Sequence, residues 1–487
     1  MMGVHQPQVE LFSYQVNLEH RIRRDHPLRR VAEVIDFTFV RAEVARFYGK
    51  KGNIGIDPIV LLKLMFLLFW DDVPSERELM ERLPERLDYL WFIGYGLDDA
   101  VPNHSVLSKA RSRWGKDVFQ QVFVRTVQQC MEAGLIDGGK LHVDSSLIDA
   151  NASKDSILKG SPELVEAYKQ LYQAQETKLA DVTNPENVVG VNDTHVCASD
   201  PDAAITSRGK GGSRPRYHHH RGIDDAHGVI TAVETTPGSI AENKKLVELI
   251  DQHEQNTQKP VHTVIGDSKY GTKENLVKCV QRNIAPHLGV VDGKQINQKH
   301  RSEIYDESHF TYDSTTDTYR CPAGQTLTKN HYHPRRHSYE YRAPAQTCAQ
   351  CVLRSKCTRA KRVGRTLKRY ESSAELQLGQ KIARSEAARR DRRRRQHLME
   401  RSFARAANEH GFKRSRWRRL WRQQIQDWLI AAVQNVKTLL RRRRTAEKTP
   451  AAGAIMNVFP SVSTFDPLFD SFRFLRIPSL LVAQRGL

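Results

Sequence analysis

Two stretches of the chain end in the same way. Lys140-Leu141-His142-Val143-Asp144-Ser145-Ser146 and, much later, Val261-His262-Thr263-Val264-Ile265-Gly266-Asp267-Ser268 each run through short apolar alternation to an aspartate. Both read as β-strands that deliver a carboxylate at their C-terminal end. That rim is where α/β sheets usually place their sites, and paired carboxylates supply the hard oxygen ligands that a Mg²⁺-like ion requires. Either aspartate alone reads equally well as a cap on the turn that follows it. The pair, in a chain of formal charge +20, favours the metal reading.

Two further sets of residues could do chemistry. Cys321 stands apart from the run Cys348-x2-Cys351-x5-Cys357. A Cys-x2-Cys turn offers two thiolates to one tetrahedral ion, and the other two cysteines complete a four-sulfur zinc site. An iron–sulfur cluster and free structural thiols are the alternatives. The second set surrounds Glu400. Arg389, Arg390, Arg392, Arg393, Arg394 and Arg395 precede it. Met399, Phe403 and Ala406 fall on one helical face beside it. From there Glu400 could reach the sheet rim; a solvated Glu in a basic helix is the plain alternative. Arg392, Arg394, Arg395, Arg401 and Lys413 are the candidate phosphate contacts, because a run of like charge this dense needs a polyanion to be tolerated when folded.

The bulk composition fits that reading. The 487 residues carry 76 Lys+Arg against 56 Asp+Glu, a balance that points to nucleic acid before anionic membrane. The N-terminus lacks the apolar run of a leader peptide. The longest apolar run, Ile59 to Trp70, is interrupted by Lys63 and falls short of a membrane span. Seven cysteines, an odd number, suit a reducing cytoplasm. A cytoplasmic, nucleoid-associated protein is therefore expected.

The elements that must position these residues follow from local signals. Residues 1–135 read as a helical N-terminal region. Asp57-Pro58 opens a helix to about Trp70, and Ser75 with Glu78 forms a capping box for the next. Helical pieces follow at Arg86–Gly94, Val106–Trp114 and Lys116–Ala133. The short turns allow a DNA-binding helix-turn-helix, with a plain bundle as the alternative. Residues 136–294 alternate strand, hairpin, helix, strand, helix and strand, which describes a mixed α/β sheet flanked by helices. His218, His219 and His220 alternate across the hairpin strand, so they cannot all face one metal. Apolar periodicity fails over 295–370, a Cys-rich insert that should lack a core of its own. Residues 371–445 return to helix and carry Glu400, with Trp417–Trp421 expected inside it. The tail, 446–487, is expected to be partly disordered.

With these residues placed, the chain resembles the bacterial insertion-sequence transposases of the DDE class, in the branch with a cysteine-bearing insert before the final Glu. The resemblance covers roughly residues 10–440. Its carriers are Asp57–Leu64 with Arg77-Glu78-Leu79, Pro102-Asn103-His104-Ser105, His142–Ser146, Gly222–Gly228 with Thr236-Pro237-Gly238, Ile265–Gly271, and Glu400–Ala404 with His410-Gly411. It implies an RNase H-like fold with Asp144 on the first strand, Asp267 after the fourth and Glu400 on a later helix. It also implies strand cleavage and transfer at element ends on double-stranded DNA, by a homodimer using two Mg²⁺ ions or Mn²⁺ in their place. The three acids would share the two ions, which neutralise the attacking and leaving oxygens of an in-line displacement. The chain departs from the family's last motif: Arg395 is the nearest match to its Arg, no Tyr is well placed, and Ala407 stands where a Lys is usual, with Lys413 the nearest substitute.

A DNA-binding regulator without catalysis, an inactive copy of a transposase, an RNA-binding zinc scaffold and a generic RNase H-like nuclease are the rival readings. Mg²⁺-dependent nicking separates an active enzyme from the regulator, retention of function after the three acids are changed marks the scaffold, and specific end recognition separates the last.

Overall fold

The computed structural model describes residues 16–49, 54–174, 191–207, 212–290, 304–334, 338–360 and 362–448. Nearly all of the expected disordered tail lies outside the described residues, as does part of the basic loop at 207–216. The described residues up to Arg443 belong to one compact unit.

The N-terminal region is helical as read. Its larger helices are Pro27–Val34, Pro58–Trp70, Glu76–Arg82, Leu87–Ile93 and Ser105–Glu132. Asp57 accepts the Ile59 N–H, with Pro58 in the first helical position. Ser75 accepts the Glu78 N–H. Gly94 ends its helix in the left-handed conformation. The longest helix is interrupted at Gly115, whose φ of 72° and ψ of −178° break it where the sequence placed a boundary. Pro58–Trp70 buries ten of its residues, too many for a surface helix. It is the centre of this bundle.

The main sheet has six strands: β1 (Lys140–Asp149), β4 (Ala204–Ser207), β5 (Ser213–Asp224), β6 (Ile230–Pro237), β7 (Thr263–Gly266) and β8 (Ala285–Leu288). A separate small pair is made by β2 (Ile157–Lys159) and β3 (His195–Cys197). The order is β4-β5-β1-β7-β8, with β6 also pairing β5. β6, β5 and β1 run antiparallel, and β1, β7 and β8 run parallel. One expectation is corrected here. β1 does not stop at Asp144, because Ser145 to Asp149 continue to pair with β5, from Ser145 opposite His220 to Asp149 opposite Arg216. Only its parallel side stops early, at His142 opposite Ile265.

Helices cover both faces of the sheet. On one face Leu141 and Val143 pack with Leu246, Leu249 and Ile250 of the helix Leu246–Thr257 and with Leu376 of the helix Ser373–Ala383. On the other, Ile148, Ile223, Ile230 and Val233 join Met399 and Ala406 of the arginine helix Glu386–Glu409. Trp428, Ile430 and Val433 of the helix Leu420–Lys448 and the N-terminal helices complete that same cluster. The boundary at residue 135 therefore marks a change from helix to strand but not a change of core. Trp417 to Arg419 lie outside the last helix, which begins at Leu420.

The insert is more ordered than its composition suggests. β9 (Thr311–Asp313), β10 (Thr318–Arg320), β11 (Thr326–His333), β12 (Ser338–Arg342) and β13 (Thr366–Tyr370) form an antiparallel sheet. Its own core is Phe310, Tyr319, Leu327, Tyr341 and Leu367. Tyrosines supply the apolar faces here, so a count of aliphatic residues missed them. None of the described helices is long and apolar enough to cross a membrane.

Candidate active site

Asp144 and Asp267 stand side by side because of strand register. His142 opposite Ile265 is the last parallel pair between β1 and β7, and each aspartate lies two residues beyond it. Neighbouring strands are about 4.8 Å apart, so the carboxylates meet just past the sheet's parallel edge. Among the described residues, one group of three His, Cys, Asp or Glu has ligand atoms all within 4.8 Å of one another: Asp144, Asp267 and Glu242.

The turn after β7 is held by close backbone packing. A Cβ on Gly271 would overlap the carbonyl oxygen of Gly289, and one on Gly289 would come within 2.6 Å of the Ser268 nitrogen. Only glycine allows these backbones to approach. Within the turn the Lys269 N–H donates to Asp267 Oδ1 at 2.9 Å.

Glu242 was not anticipated. It lies in the 3-10 turn Glu242–Lys245 after β6 and is 6% exposed. Ser145 Oγ donates to its Oε2 at 2.6 Å, and Lys269 Nζ lies 2.6 Å from its Oε1. Ser145 is also bonded to His218 Nε2 at 2.9 Å. The available signal in the sequence was an acid just after Thr236-Pro237-Gly238, at the head of an amphipathic helix. An ordinary first-turn Glu looks the same.

Glu400 is not brought to the aspartates. It lies on the exposed face of the arginine helix, where Gln396 Nε2 donates to its Oε1 at 3.0 Å. The residue of that helix that reaches the site is Arg395, whose Nη1 lies 2.9 Å from Asp144 Oδ2. Met399, buried, takes the inward position beside Glu400.

Burial pushes the Asp144 carboxyl above its ordinary range. Arg395 and the Ser145 N–H pull it back, while Asp267 and Glu242 push it further up. Burial likewise raises Tyr270, whose hydroxyl feels the same three carboxylates.

Three of the arginines read as candidate phosphate contacts are bonded within the protein. Arg392 donates to the carbonyls of Ala383 at 2.8 Å and Leu288 at 3.2 Å. Arg394 donates to Asp225 at 2.6 Å. With Arg395 on Asp144, all three are committed to the protein. Asp391 completes the clamp: Lys140 Nζ lies 3.1 Å and His287 Nδ1 2.7 Å from its Oδ2. Burial works against that carboxylate, but these two partners hold it below its ordinary range. Arg389, Arg390, Arg393, Arg394 and Arg401 are exposed, Arg394 while bonded to Asp225. Lys413 is exposed but tied by its Nζ to Ser146 Oγ at 2.7 Å.

The three histidines are buried and bonded within the protein. His218 and His220 lie on one side of β5 with ring centroids 4.5 Å apart, while His219 turns the other way onto Asp427 at 3.0 Å. Cys321, Cys348, Cys351 and Cys357 line one recess of the insert. The Gln325 N–H points at Cys321 Sγ at 3.3 Å and the Arg365 N–H at Cys348 Sγ at 3.5 Å.

Residues 16–113 match a family model described as a transposase domain (DUF772), and residues 320–440 match one described as a transposase DDE domain. Glu400 and the four cysteines fall inside the second match; Asp144, Glu242 and Asp267 fall between the two. No curated protein matches the chain. Among solved structures it is similar to a piggyBac transposase synaptic complex with hairpin DNA, at 9% identity and a TM-score of 0.33, over 87% of this chain and 74% of that one. It is also similar to a Mos1 transposase paired-end complex, at 12% identity and a TM-score of 0.16, over 52% of this chain and 64% of that one. Likenesses this weak carry no structural conclusion. The two domain matches, one on the helical bundle and one across the insert and arginine helix, support an insertion-sequence transposase of the DDE class.

Proposed function

We propose that this DNA transposase cuts and joins strands through divalent ions held by Asp144 and Asp267, on an RNase H-like core. The carrying observation is the register that sets these two carboxylates side by side beyond the last β1–β7 pair. The strand order supports the fold: three antiparallel strands, β6-β5-β1, continued by two parallel ones, β7 and β8. The donor set fits the ion. Hard carboxylates converge, and two protein cations, Lys269 and Arg395, lean on them in its place. A divalent cation there would activate the attacking water or 3′-hydroxyl and stabilise the leaving 3′-oxygen. The chain's own part is to hold the carboxylates at fixed spacing. It does so through the glycine-packed turn at Asp267 and the arginine-helix clamp at Asp391.

The same reading assigns DNA contact to the outward arginines Arg389, Arg390, Arg393 and Arg401, and pairing of element ends to a homodimer. It assigns Cys321, Cys348, Cys351 and Cys357 to a structural Zn²⁺, supported by their shared recess and by two backbone N–H groups directed at sulfur. Metal analysis of protein purified without chelator should find about one zinc per chain; none would remove this assignment. For the activity, purified protein is incubated with DNA carrying the element's own ends and Mg²⁺, and cut positions are mapped. Cleavage at the ends that vanishes in Asp144→Asn and Asp267→Asn is expected. Cleavage that survives both substitutions would reject the assignment.

A further inference from the structure

The insert carries a second concentration of positive charge, apart from the arginine helix. Between Glu340 and Glu371 the chain has nine Lys and Arg and no Asp or Glu. Elsewhere exposed cations stand beside acids, as Lys278 does with Glu274 and Lys329 with Asp317. We infer that the basic turn at residues 348–359, with Arg362 just after it, is a second DNA-binding surface: Lys356, Arg359 and Arg362 hold phosphates and Val352 meets the groove. The inference rests on DNA as the substrate proposed above and is independent of how the acidic site holds its ions.

Three observations carry it. First, the structure sorts these cations by use. Arg354 donates to the Ala360 carbonyl at 2.9 Å, and Arg365 to the carbonyls of Cys357 at 2.9 Å and Tyr305 at 2.8 Å. Arg369 is bonded to Ser373 Oγ, and Arg342 lies 2.7 Å from Glu340. Lys356, Arg359 and Arg362 are exposed, and no hydrogen bond or ion pair joins their side chains to another described residue. Like charges gathered without acids repel one another, and a polyanion relieves them.

Second, these cations are presented from a braced backbone. Cys351, Leu353, Arg354, Cys357 and Thr358 line the recess of the four cysteines, while Val352, Ser355 and Lys356 of the same turn are exposed. The Arg354 N–H donates to the Cys351 carbonyl at 3.0 Å, and the Lys356 carbonyl accepts the Tyr305 N–H at 2.7 Å. A surface ordered in advance loses less freedom on binding. The insert is also tied to the catalytic core. Lys273 Nζ stands 3.8 Å from the centre of the Tyr370 ring, and Tyr370 packs against the apolar cluster that holds Leu141 and Val143.

Third, Val352 is 95% exposed, the highest value among the large apolar side chains of the described residues. A lone exposed valine is ordinary on a protein surface. This one stands four residues before Lys356 on the same basic turn, and a short apolar side chain there suits close approach to base edges, where thymine presents a methyl group.

The test measures DNA binding by the full chain without Mg²⁺ or Mn²⁺, so that it does not depend on the acidic site. A duplex carrying the element's own ends is titrated at several salt concentrations into wild type, Val352→Ser and a triple variant with Lys356→Gln, Arg359→Gln and Arg362→Gln. Circular dichroism and zinc content check that the insert is intact. In the triple variant the slope of log affinity against log salt should flatten by about 0.9 for each phosphate released. Val352→Ser should weaken binding about fourfold or more at every salt concentration, with the slope unchanged. If the triple variant fails to fold, the single substitutions Arg359→Gln and Arg362→Gln, each at an exposed side chain, read the same slope. A slope unmoved in these variants would overturn the inference, as would a slope that flattens for an RNA duplex and not for DNA. Unchanged affinity in Val352→Ser would overturn the groove contact. Wild-type protein that binds no DNA would overturn the substrate reading and this inference with it.

Discussion

Arg395 Nη1 sits 2.9 Å from Asp144 Oδ2, and only 12% of the arginine side chain is exposed. The same guanidinium donates to the Val143 carbonyl at 3.3 Å. One residue thus joins the arginine helix to the central strand and covers one face of the aspartate. Arg395→Gln should therefore act in two directions. Unfolding stability should fall by about 1–3 kcal/mol, the usual result of removing one partner from a largely buried pair. Ion affinity at Asp144 should rise. Urea denaturation and Mn²⁺ titration on the same preparation check both, and a gain in stability would show that the pair does not hold the helix.

The arginines divide into a set bonded to the protein, Arg392, Arg394 and Arg395, and an outward set, and substitution should separate them. Replacing the outward Arg389, Arg390 and Arg393 by Gln should leave the melting temperature nearly unchanged. It should also flatten the plot of log affinity for DNA against log salt by roughly 0.9 for each phosphate that is no longer neutralised. Replacing Arg392, Arg394 and Arg395 should instead lower thermal stability, because their partners are Leu288, Ala383, Asp225 and Asp144. A salt slope unmoved by the outward set would place the DNA elsewhere.

Gly271→Ala tests the turn. The added methyl would overlap the Gly289 carbonyl, and such overpacking costs on the order of 1–3 kcal/mol when neighbours are backbone. Relief requires the turn to move, and Asp267 with it. Strand cleavage should drop further than the loss of folded protein accounts for. Crystallography or hydrogen exchange at residues 266–271 would show whether the turn has shifted.

His410 should make the fold acid-sensitive. Its ring is fully buried, and burial, aided by Lys437, lowers it to about 4 against the donation of Nδ1 to the Phe69 carbonyl. A depressed folded value means that the unfolded chain takes up the proton first. The contribution is therefore present in full above about 6.5 and is lost as pH falls toward 4, worth about 3 kcal/mol in all. Comparing urea midpoints of wild type and His410→Gln across that range should show the gap between them narrowing as pH drops. Parallel curves would assign the acid sensitivity to other buried histidines.

Much of this was readable in advance because it is local. Caps at Asp57 and Ser75, the break at Gly115 and the β5–β6 hairpin depend on neighbours in sequence, and each formed where its residues indicated. Strand register was partly readable, since two apolar runs ending in aspartate fit one parallel edge. The glutamates were not. Whether an acid on a helix points inward depends on how the helix is rotated, and that rotation is set by Asp391, Arg394 and Arg395 binding Lys140, His287, Asp225 and Asp144. Apolar residues flank Glu400 and so allowed either face. The insert's tyrosine core, and the union of the N-terminal bundle with the helix Leu420–Lys448 in one cluster, come from long-range packing, which periodicity does not encode.

That union has a consequence for synthesis. The apolar helix Pro58–Trp70 leaves the ribosome early, yet part of its covering surface, residues such as Trp428 and Val433, is translated much later. At about 5–20 residues per second, the bundle waits on the order of tens of seconds for its last partner. A message cut before residue 420 yields a nascent chain whose greasiest helix never meets that partner, and such a fragment should be held by chaperones or found in the insoluble fraction. Translation through that last helix is thus itself a checkpoint, and a broken copy of the gene would be silenced by misfolding before it reached DNA.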